Sequence, residues 1–268
     1  MVESGNDQFD KLRNRKHRGL IIDRVEGVEI MECQLCGFKH IVPMFTDEEL
    51  EEFYRQDFYS KEKPKYFKNA VLDKQWWQAT YSSHYSILEK ITKGRKLLDI
   101  GSGPGYFLKV GSERQWDVVG YEPSQAAAEY SRELGVRVEK KFFSLAEFEE
   151  NEKFDVINLS LVLEHLPDPI KLISDCRQLL NPDGVISIIS PNDYNPLQDI
   201  LRTSHGFKPW WVVPKHHLNY FNFDSITTLL ENCDFTVVKK LSTFPIEFFL
   251  LAGKNYIGND KLGRTCHG

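Results

Sequence analysis

The stretch RKLLDIGSGPGYFLKVG, from Arg95 to Gly111, decides how the chain is read. Lys96 to Ile100 is an apolar run interrupted by one acid, Asp99. Three glycines follow at alternate positions, Gly101, Gly103 and Gly105, and an apolar pattern of helical spacing resumes at Tyr106. Pro104 suits the start of that helix, where its missing N–H is not needed. A loop bare of side chains lets a ligand lie against the backbone, and the helix N-terminus adds N–H groups that can face it.

The spacing excludes two familiar glycine loops. A dinucleotide fingerprint needs G-x-G-x-x-G, and the third position is Tyr106 counted from Gly101, or Leu108 counted from Gly103. A P-loop fails because no Gly-Lys-Ser/Thr follows.

Outward from this loop, strand and helix signals alternate. Strands are expected near 96–100, 117–122, 136–139, 154–159, 184–190, 235–241 and 246–252, and helices near 104–112, 124–134, 144–149, 168–180 and 223–232. That rhythm predicts an α/β fold with a doubly wound, seven-stranded, mostly parallel sheet. The short link between the last two strands predicts a C-terminal antiparallel hairpin. A small N-terminal extension precedes the sheet. Residues 1–20 read as a polar tail, 21–74 as a small module with a linker helix over 46–58 opened by Thr46, and 75–268 as the main domain. A long aromatic segment at about 191–222 breaks the rhythm and reads as a functional cap insertion.

Composition narrows the function. The net charge of −5 argues against a nucleic-acid partner, which would require a surplus of Lys and Arg. No apolar run reaches the ~18 residues of a membrane span, and the N-terminus lacks the apolar centre of a signal peptide. The default expectation is a cytoplasmic protein with no membrane partner. Five cysteines at irregular spacing do not form a disulfide framework.

Four stations then resemble the class I S-adenosylmethionine-dependent methyltransferases. They are Leu97-Leu98-Asp99-Ile100-Gly101-Ser102-Gly103-Pro104-Gly105, Val118 to Ser124 with its acid Glu122, Phe154 to Leu166, and Leu179 to Val185. The resemblance implies a Rossmann-like methyltransferase fold, S-adenosyl-L-methionine as cofactor and S-adenosyl-L-homocysteine as product. It places Asp99 near the methionine amino group, with Gly101, Ser102, Gly103, Gly105, Tyr106 and Phe107 along the glycine loop. Glu122 would accept both ribose hydroxyl hydrogens, with Pro123 beside it. Leu159 and Ser160 complete the cofactor contacts. Where many relatives place a polar residue beside the adenine, this chain reads Lys140-Lys141-Phe142-Phe143-Ser144, so Phe143 either stacks on the base or packs in the core.

Methyl transfer from a sulfonium needs alignment of donor and acceptor, and an oxygen acceptor benefits from a base. His165 is the first candidate, since imidazole titrates near neutrality. The portion His217-Leu218-Asn219-Tyr220-Phe221 resembles a segment before the last helix of several small-molecule methyltransferases, which makes His217 the second. Glu164, Asn192, Trp210, Trp211, His216 and Tyr220 are assigned to the small-molecule substrate. The tryptophan pair reads as a lid, a ligand wall or a homodimer contact. The adjacent histidines have no acid near them in sequence and are not assigned a metal.

Cys33-x-x-Cys36, followed by Gly37, has the spacing of a zinc knuckle, yet no second pair exists. His40 would be a third ligand, and Cys266 and His267 lie far along the chain. The segment CQLCGF to EELEEFYRQDFYS resembles the N-terminal part of methyltransferases from sugar and natural-product pathways, which often carry two cysteine pairs. With one pair missing, Cys33 and Cys36 read as a degenerate zinc module, and no metal is assigned. The expected function is methyl transfer to an oxygen of a sugar or other pathway metabolite. Carbon methylation of a nucleotide-sugar and a non-catalytic cofactor-binding protein are the alternatives.

Overall fold

The computed structural model describes residues 17–45, 73–214 and 216–267, without the side chains of Asp260 and His267. The expected helix at 46–58 and most of the expected tail lie outside the described residues. Packing divides the chain into two compact units. One takes its residues from Met1–Met44, Glu164–Leu166 and Pro191–Gly268, the other from Phe45–Leu163 and Pro167–Ser190. Residues 21–44 of the expected N-terminal module and the expected cap at 191–222 therefore belong to one packed body, while the module's remainder is assigned to the other. Among the described residues no helix is long and apolar enough to cross a membrane.

In chain order the first unit opens with β1 (Gly19–Val25), β2 (Val28–Cys33) and β3 (Lys39–Val42). The second unit runs through α1 (Lys74–Ile91), β4 (Lys96–Ile100), α2 (Tyr106–Glu113), β5 (Asp117–Tyr121), α3 (Gln125–Glu133), β6 (Val138–Glu139), β7 (Phe154–Ser160), α4 (Pro169–Leu179) and β8 (Leu180–Ile189). The first unit resumes with α5 (Pro196–His205), β9 (Asn219–Tyr220), α6 (Phe223–Asn232), α7 (Glu247–Leu251) and α8 (Asp260–His267).

The second unit is a parallel five-stranded sheet in the order β6-β5-β4-β7-β8, with helices as crossovers, the Rossmann-like arrangement expected. β4 sits at its centre because Leu97, Leu98 and Ile100 are all buried, as a strand covered on both faces requires. Its register sets Ile100 beside Tyr121 of β5 and Leu159 of β7, so the glycine loop leaves the sheet between two strand ends. At the opposite end Asp155 accepts from the Lys96 backbone N–H and from Asn181 Nδ2, both at 2.9 Å. On one side, aromatic rings join α1 to α2. Tyr85 stacks on Phe107 at 4.5 Å and Trp77 on Tyr106 at 4.4 Å. These rings dominate a core that also takes in Leu88, Leu97, Trp116 and Val156.

The first unit carries an antiparallel sheet in the order β1-β2-β3-β9. Its last pairing sets Lys39 opposite Tyr220 and His40 opposite Asn219. Two helices here start at asparagine capping boxes. Asn195 accepts from the N–H of Leu197 and Gln198, and Asn222 from those of Asp224 and Ser225.

The sheet has five strands among the described residues rather than seven, and the expected C-terminal hairpin is not formed. Residues 235–241 are irregular and outside the sheet, with Val238 and Leu241 exposed by 70% and 59%. Residues 246–252 include the helix α7. The run Ile246–Leu251, apolar but for Glu247, is too short for its period to separate strand from helix, and the Pro245 carbonyl accepts the first turn's bond from Phe248 N–H. The expected helix at 144–149 is one 3-10 turn over Leu145–Glu147, and β8 begins at Leu180, earlier than expected.

Close packing of α1 on α2 rests on Gly111. A Cβ there would meet the Tyr85 hydroxyl at 2.2 Å and its ring carbon at 2.6 Å. Alanine gains about 1 kcal/mol of helix propensity over glycine, but overpacking a fixed ring costs about 1–3 kcal/mol. Gly111→Ala is expected to lower stability by about 1 kcal/mol net, read as a fall in urea midpoint at constant slope.

Candidate functional site

In the second unit the chain leaves β4 through Gly101, Gly103 and Gly105, with φ of 71°, 53° and 77°. Only glycine adopts these left-handed values without a Cβ penalty. Space is also short: a Cβ at Gly101 would meet Val162 Cγ2 at 2.7 Å, and one at Gly105 would meet Ser131 Oγ at 2.8 Å. The loop is tied to the end of β5, because Gly101 and Ser102 N–H both donate to the Tyr121 carbonyl, at 2.8 and 3.2 Å. Gly103 N–H donates to Glu122 Oε2 at 2.9 Å, and its carbonyl accepts from Ser131 Oγ at 3.1 Å.

Glu122 Oε1 accepts from Ser124 N–H at 2.8 Å. Each carboxylate oxygen carries two lone pairs, so acceptor capacity for two hydroxyl hydrogens is left. Asp99 Oδ1 accepts from Asn158 Nδ2 at 2.7 Å. Burial pushes both carboxyls up to about 7. The Asn158 amide opposes this at Asp99 while the charge of Glu122 adds to it, and the N–H groups of Ser124 and Gly103 oppose it at Glu122. Two buried acids and the unpartnered Ser102 hydroxyl lie along this glycine loop. Such a place suits a ligand bringing hydroxyl donors and a positive charge.

The other expected cofactor residues divide. Pro123 lies between Glu122 and Ser124, whose side chain caps α3. Tyr106 and Phe107 turn their side chains into the core between α1 and α2, where Tyr106 also donates to the Tyr130 hydroxyl at 2.9 Å. Their side chains are thus committed to packing. Phe143 is half-buried beside Tyr121 and Phe148, at centroid distances of 6.0 and 5.7 Å. Leu159 is buried within β7, and Ser160 ends that strand half-buried.

The first unit holds a second cluster. Glu164 and His165 follow directly in the chain on the strand–turn segment ending at Leu163. The His165 ring lies 5.1 Å from that of His217, and its Nδ1–H donates to the His216 carbonyl at 2.5 Å. Ligand-type atoms of Glu164, His165 and His217 all lie within 4.8 Å of one another, close enough to share a proton or a cation. The sequence shows no acid beside the His216-His217 pair, and folding supplies Glu164. That carboxyl is 1% exposed, and only its own backbone N–H opposes the cost of its burial. Burial, reinforced by the charge of Asp193, pushes it up to about 8.

Asp193 is a candidate site residue that sequence reasoning missed, having settled on its neighbour Asn192. The Asn192 carbonyl accepts from Asn195 Nδ2 at 2.8 Å in the turn before α5. Asp193 is instead buried, with Oδ2 unpartnered, and burial pushes it up to about 7. The signal available was the position of an Asn-Asp pair just past an apolar strand. Trp211 and Tyr220 are buried, the indole N–H of Trp211 without a partner, and Tyr194 sets its ring at 5.4 Å from Trp211. Trp210 is half-buried against Phe207 and Trp211.

A family model described as a methyltransferase domain matches residues 75–240. Among curated proteins the chain is 29% identical over 179 residues to a ubiquinone biosynthesis O-methyltransferase of Actinobacillus pleuropneumoniae serotype 7 (strain AP76), covering 62% of this chain and 75% of that one. It is 27% identical over 178 residues to a probable S-adenosylmethionine-dependent methyltransferase of Mycolicibacterium smegmatis, covering 65% of each. Among solved structures it is similar in fold to magnesium protoporphyrin IX methyltransferase from Synechocystis PCC 6803 with bound SAH. The TM-score there is 0.53, with 15% identity over 74% of this chain and 94% of that one. A SAM-dependent methyltransferase from Archaeoglobus fulgidus gives a TM-score of 0.50 at 18% identity, over 75% and 90%.

The buried acids make stability depend on pH with a definite sign. Asp99, Glu122, Glu164 and Asp193 all have folded-state values above their ordinary ones. The folded chain therefore holds protons that the unfolded chain has already released. The associated stability is present at low pH and lost as pH rises through about 7 to 8. Between about pH 5 and pH 8 the ligand-free protein is expected to lose stability steadily, read by urea denaturation. Glu164→Gln should flatten part of the slope, and a wild-type profile that rises or stays level would refute the assignment.

Proposed function

The chain belongs to the methyltransferase-domain family and is an enzyme that uses S-adenosylmethionine, and on that premise we propose that it methylates an oxygen of a small-molecule acceptor. The cofactor would be held by the loop Gly101–Gly105 and by the buried acids Glu122 and Asp99, which fit its hydroxyl and ammonium groups. When bound, it supplies a methyl group on a positively charged sulfur, already activated for displacement.

The rest is done by side chains. Glu122 is held at both oxygens by backbone N–H groups, so its orientation is set before any ligand arrives. Asp99 is oriented in the same way by Asn158. A ligand ammonium beside Asp99 would favour the carboxylate over the acid.

The acceptor assignment rests on the unsatisfied polar atoms of the first unit. An unsatisfied buried polar group costs about 1–3 kcal/mol, and Glu164, Asp193 and Trp211 are buried with their bonding incomplete. An acceptor carrying hydroxyl groups would satisfy them, and the rings of Trp211 and Tyr220 offer apolar contact alongside. His165 is the proposed base. Its Nδ1–H is engaged by the His216 carbonyl, which makes Nε2 the basic nitrogen of the neutral ring. Glu164, kept protonated by burial, can donate a hydrogen bond to an acceptor oxygen. Oxygen as the target is supported by the similarity to a relative named as an O-methyltransferase. A sugar or other pathway metabolite remains the proposed acceptor class.

His165→Ala is expected to lower kcat by about 10²–10⁴-fold while calorimetric affinity for S-adenosylmethionine is unchanged. An unaltered kcat would remove His165 from the mechanism. Gly103→Arg is expected to abolish that affinity by filling the loop's ligand face. Labelled methyl transfer to a panel of hydroxylated sugars and phenols tests the acceptor class, with methylated product expected at oxygen. Label recovered only on carbon or nitrogen would contradict the proposal.

A further inference from the structure

We propose that His17, Cys33, Cys36 and His40 form a structural zinc site that closes the antiparallel sheet of the first unit. Among the described residues these four offer ligand atoms all within 4.8 Å of one another. His17 falls in what the sequence marks as tail, yet it precedes β1 by a single residue. Arg18, the residue between, accepts at its carbonyl from Gln34 N–H at 2.9 Å, which holds this segment against the knuckle.

The distances fit coordination. Zinc bonds of about 2.3 Å to sulfur and about 2.0–2.1 Å to nitrogen put tetrahedral ligand atoms about 3.3–3.8 Å apart. His17 Nδ1 stands 3.5 Å from Cys33 Sγ and 3.3 Å from Cys36 Sγ. Neither cysteine is in a disulfide. The turn between them is built as a knuckle: Cys36 N–H points at Cys33 Sγ at 3.4 Å, and Gly37, at φ of 76°, donates to the Cys33 carbonyl at 3.0 Å. A backbone N–H directed at sulfur favours the thiolate that a metal requires.

His40 supplies an independent sign. It is 2% exposed, and its Nδ1–H donates to the Ile41 carbonyl at 2.8 Å. That bond fixes the tautomer and leaves Nε2 as the lone-pair nitrogen, which is buried and has no hydrogen-bond partner. Supporting one ring nitrogen on a carbonyl while the other is left for a metal is the usual arrangement of a ligating histidine. The His17 and His40 rings meet at 4.7 Å and 78°. Two thiolates with two imidazoles in a tetrahedral set select Zn²⁺ among common metals. Four protein ligands leave no open position, so the site is structural. Binding Zn²⁺ releases the two thiol protons and forms two Zn–S and two Zn–N bonds.

The full chain is purified without added chelator, and its zinc is measured. One Cys36-dependent zinc per chain is expected, with a lower melting temperature on chelation that Zn²⁺ restores. Replacement by Co²⁺ should give the thiolate charge-transfer absorption and strong visible bands of a tetrahedral centre. Cys36→Ser should halve the thiolate absorption. His17→Ala, at an exposed position that leaves the strands intact, should weaken zinc binding by more than the roughly 10–100-fold that loss of a supporting partner costs. Zinc retained with unchanged affinity by both variants would overturn the assignment. So would a chain that takes up no zinc and shows no thiolate absorption with Co²⁺.

Discussion

Two backbone N–H groups, from Gly103 and Ser124, close on the buried carboxylate of Glu122, and the cofactor face depends on that grip. The acid belongs to the end of β5, and the first N–H to the loop leaving β4. The bond can form only because Ile100 and Tyr121 are neighbours in register. Once it forms, Gly101 and Ser102 are drawn to the Tyr121 carbonyl, and the loop can turn only through left-handed conformations. Sheet register, loop shape and acid placement are therefore one constraint. The glycines are needed less for flexibility than because Val162 and Ser131 occupy the space a side chain would take.

The two ends of the parallel sheet use carboxylates in opposite ways. At the amino ends the half-buried Asp155 joins a backbone N–H of β4 to an amide of β8. At the carboxyl ends Asp99 and Glu122 are buried with acceptor capacity in reserve. Desolvation there is only partly offset until a ligand arrives, which is why both acids sit well above their usual range. Stability is concentrated at one edge and chemical readiness at the other.

Much of the second unit could be read from residues because its determinants are local. Asp99 to Gly105 and the acid Glu122 lie within a strand–loop–helix–strand run whose geometry is set by short-range chemistry. The parts that escaped are decided by long-range packing. Nothing near His17 in sequence distinguishes it from a solvated tail; only the fold of β1 and β2 carries it to the cysteines. Asp193 looks no different from Asn192 until burial separates them. The segment 235–252 has strand-like composition, but composition alone does not provide an edge to pair with, and Ile246–Leu251 became helical instead. Inside the insertion, the Asn195-Pro196 start with Gln198 was a readable capping signal for α5 that the aromatic texture obscured.

The pairing of β3 with β9 has a consequence for how the protein is made. His40 lies opposite Asn219, so the sheet joins segments separated by about 180 residues, a loop whose closure costs about 4–5 kcal/mol in chain entropy. On the ribosome, the first three strands emerge early but remain an incomplete sheet with an open edge on β3. The last strand appears only after the whole parallel sheet has been synthesised. During that interval the early strands are held together by their own hairpins and by whatever binds the knuckle at Cys33 and Cys36. A nascent chain that carries β3 thus leaves this strand edge unpaired until Asn219 and Tyr220 have been made.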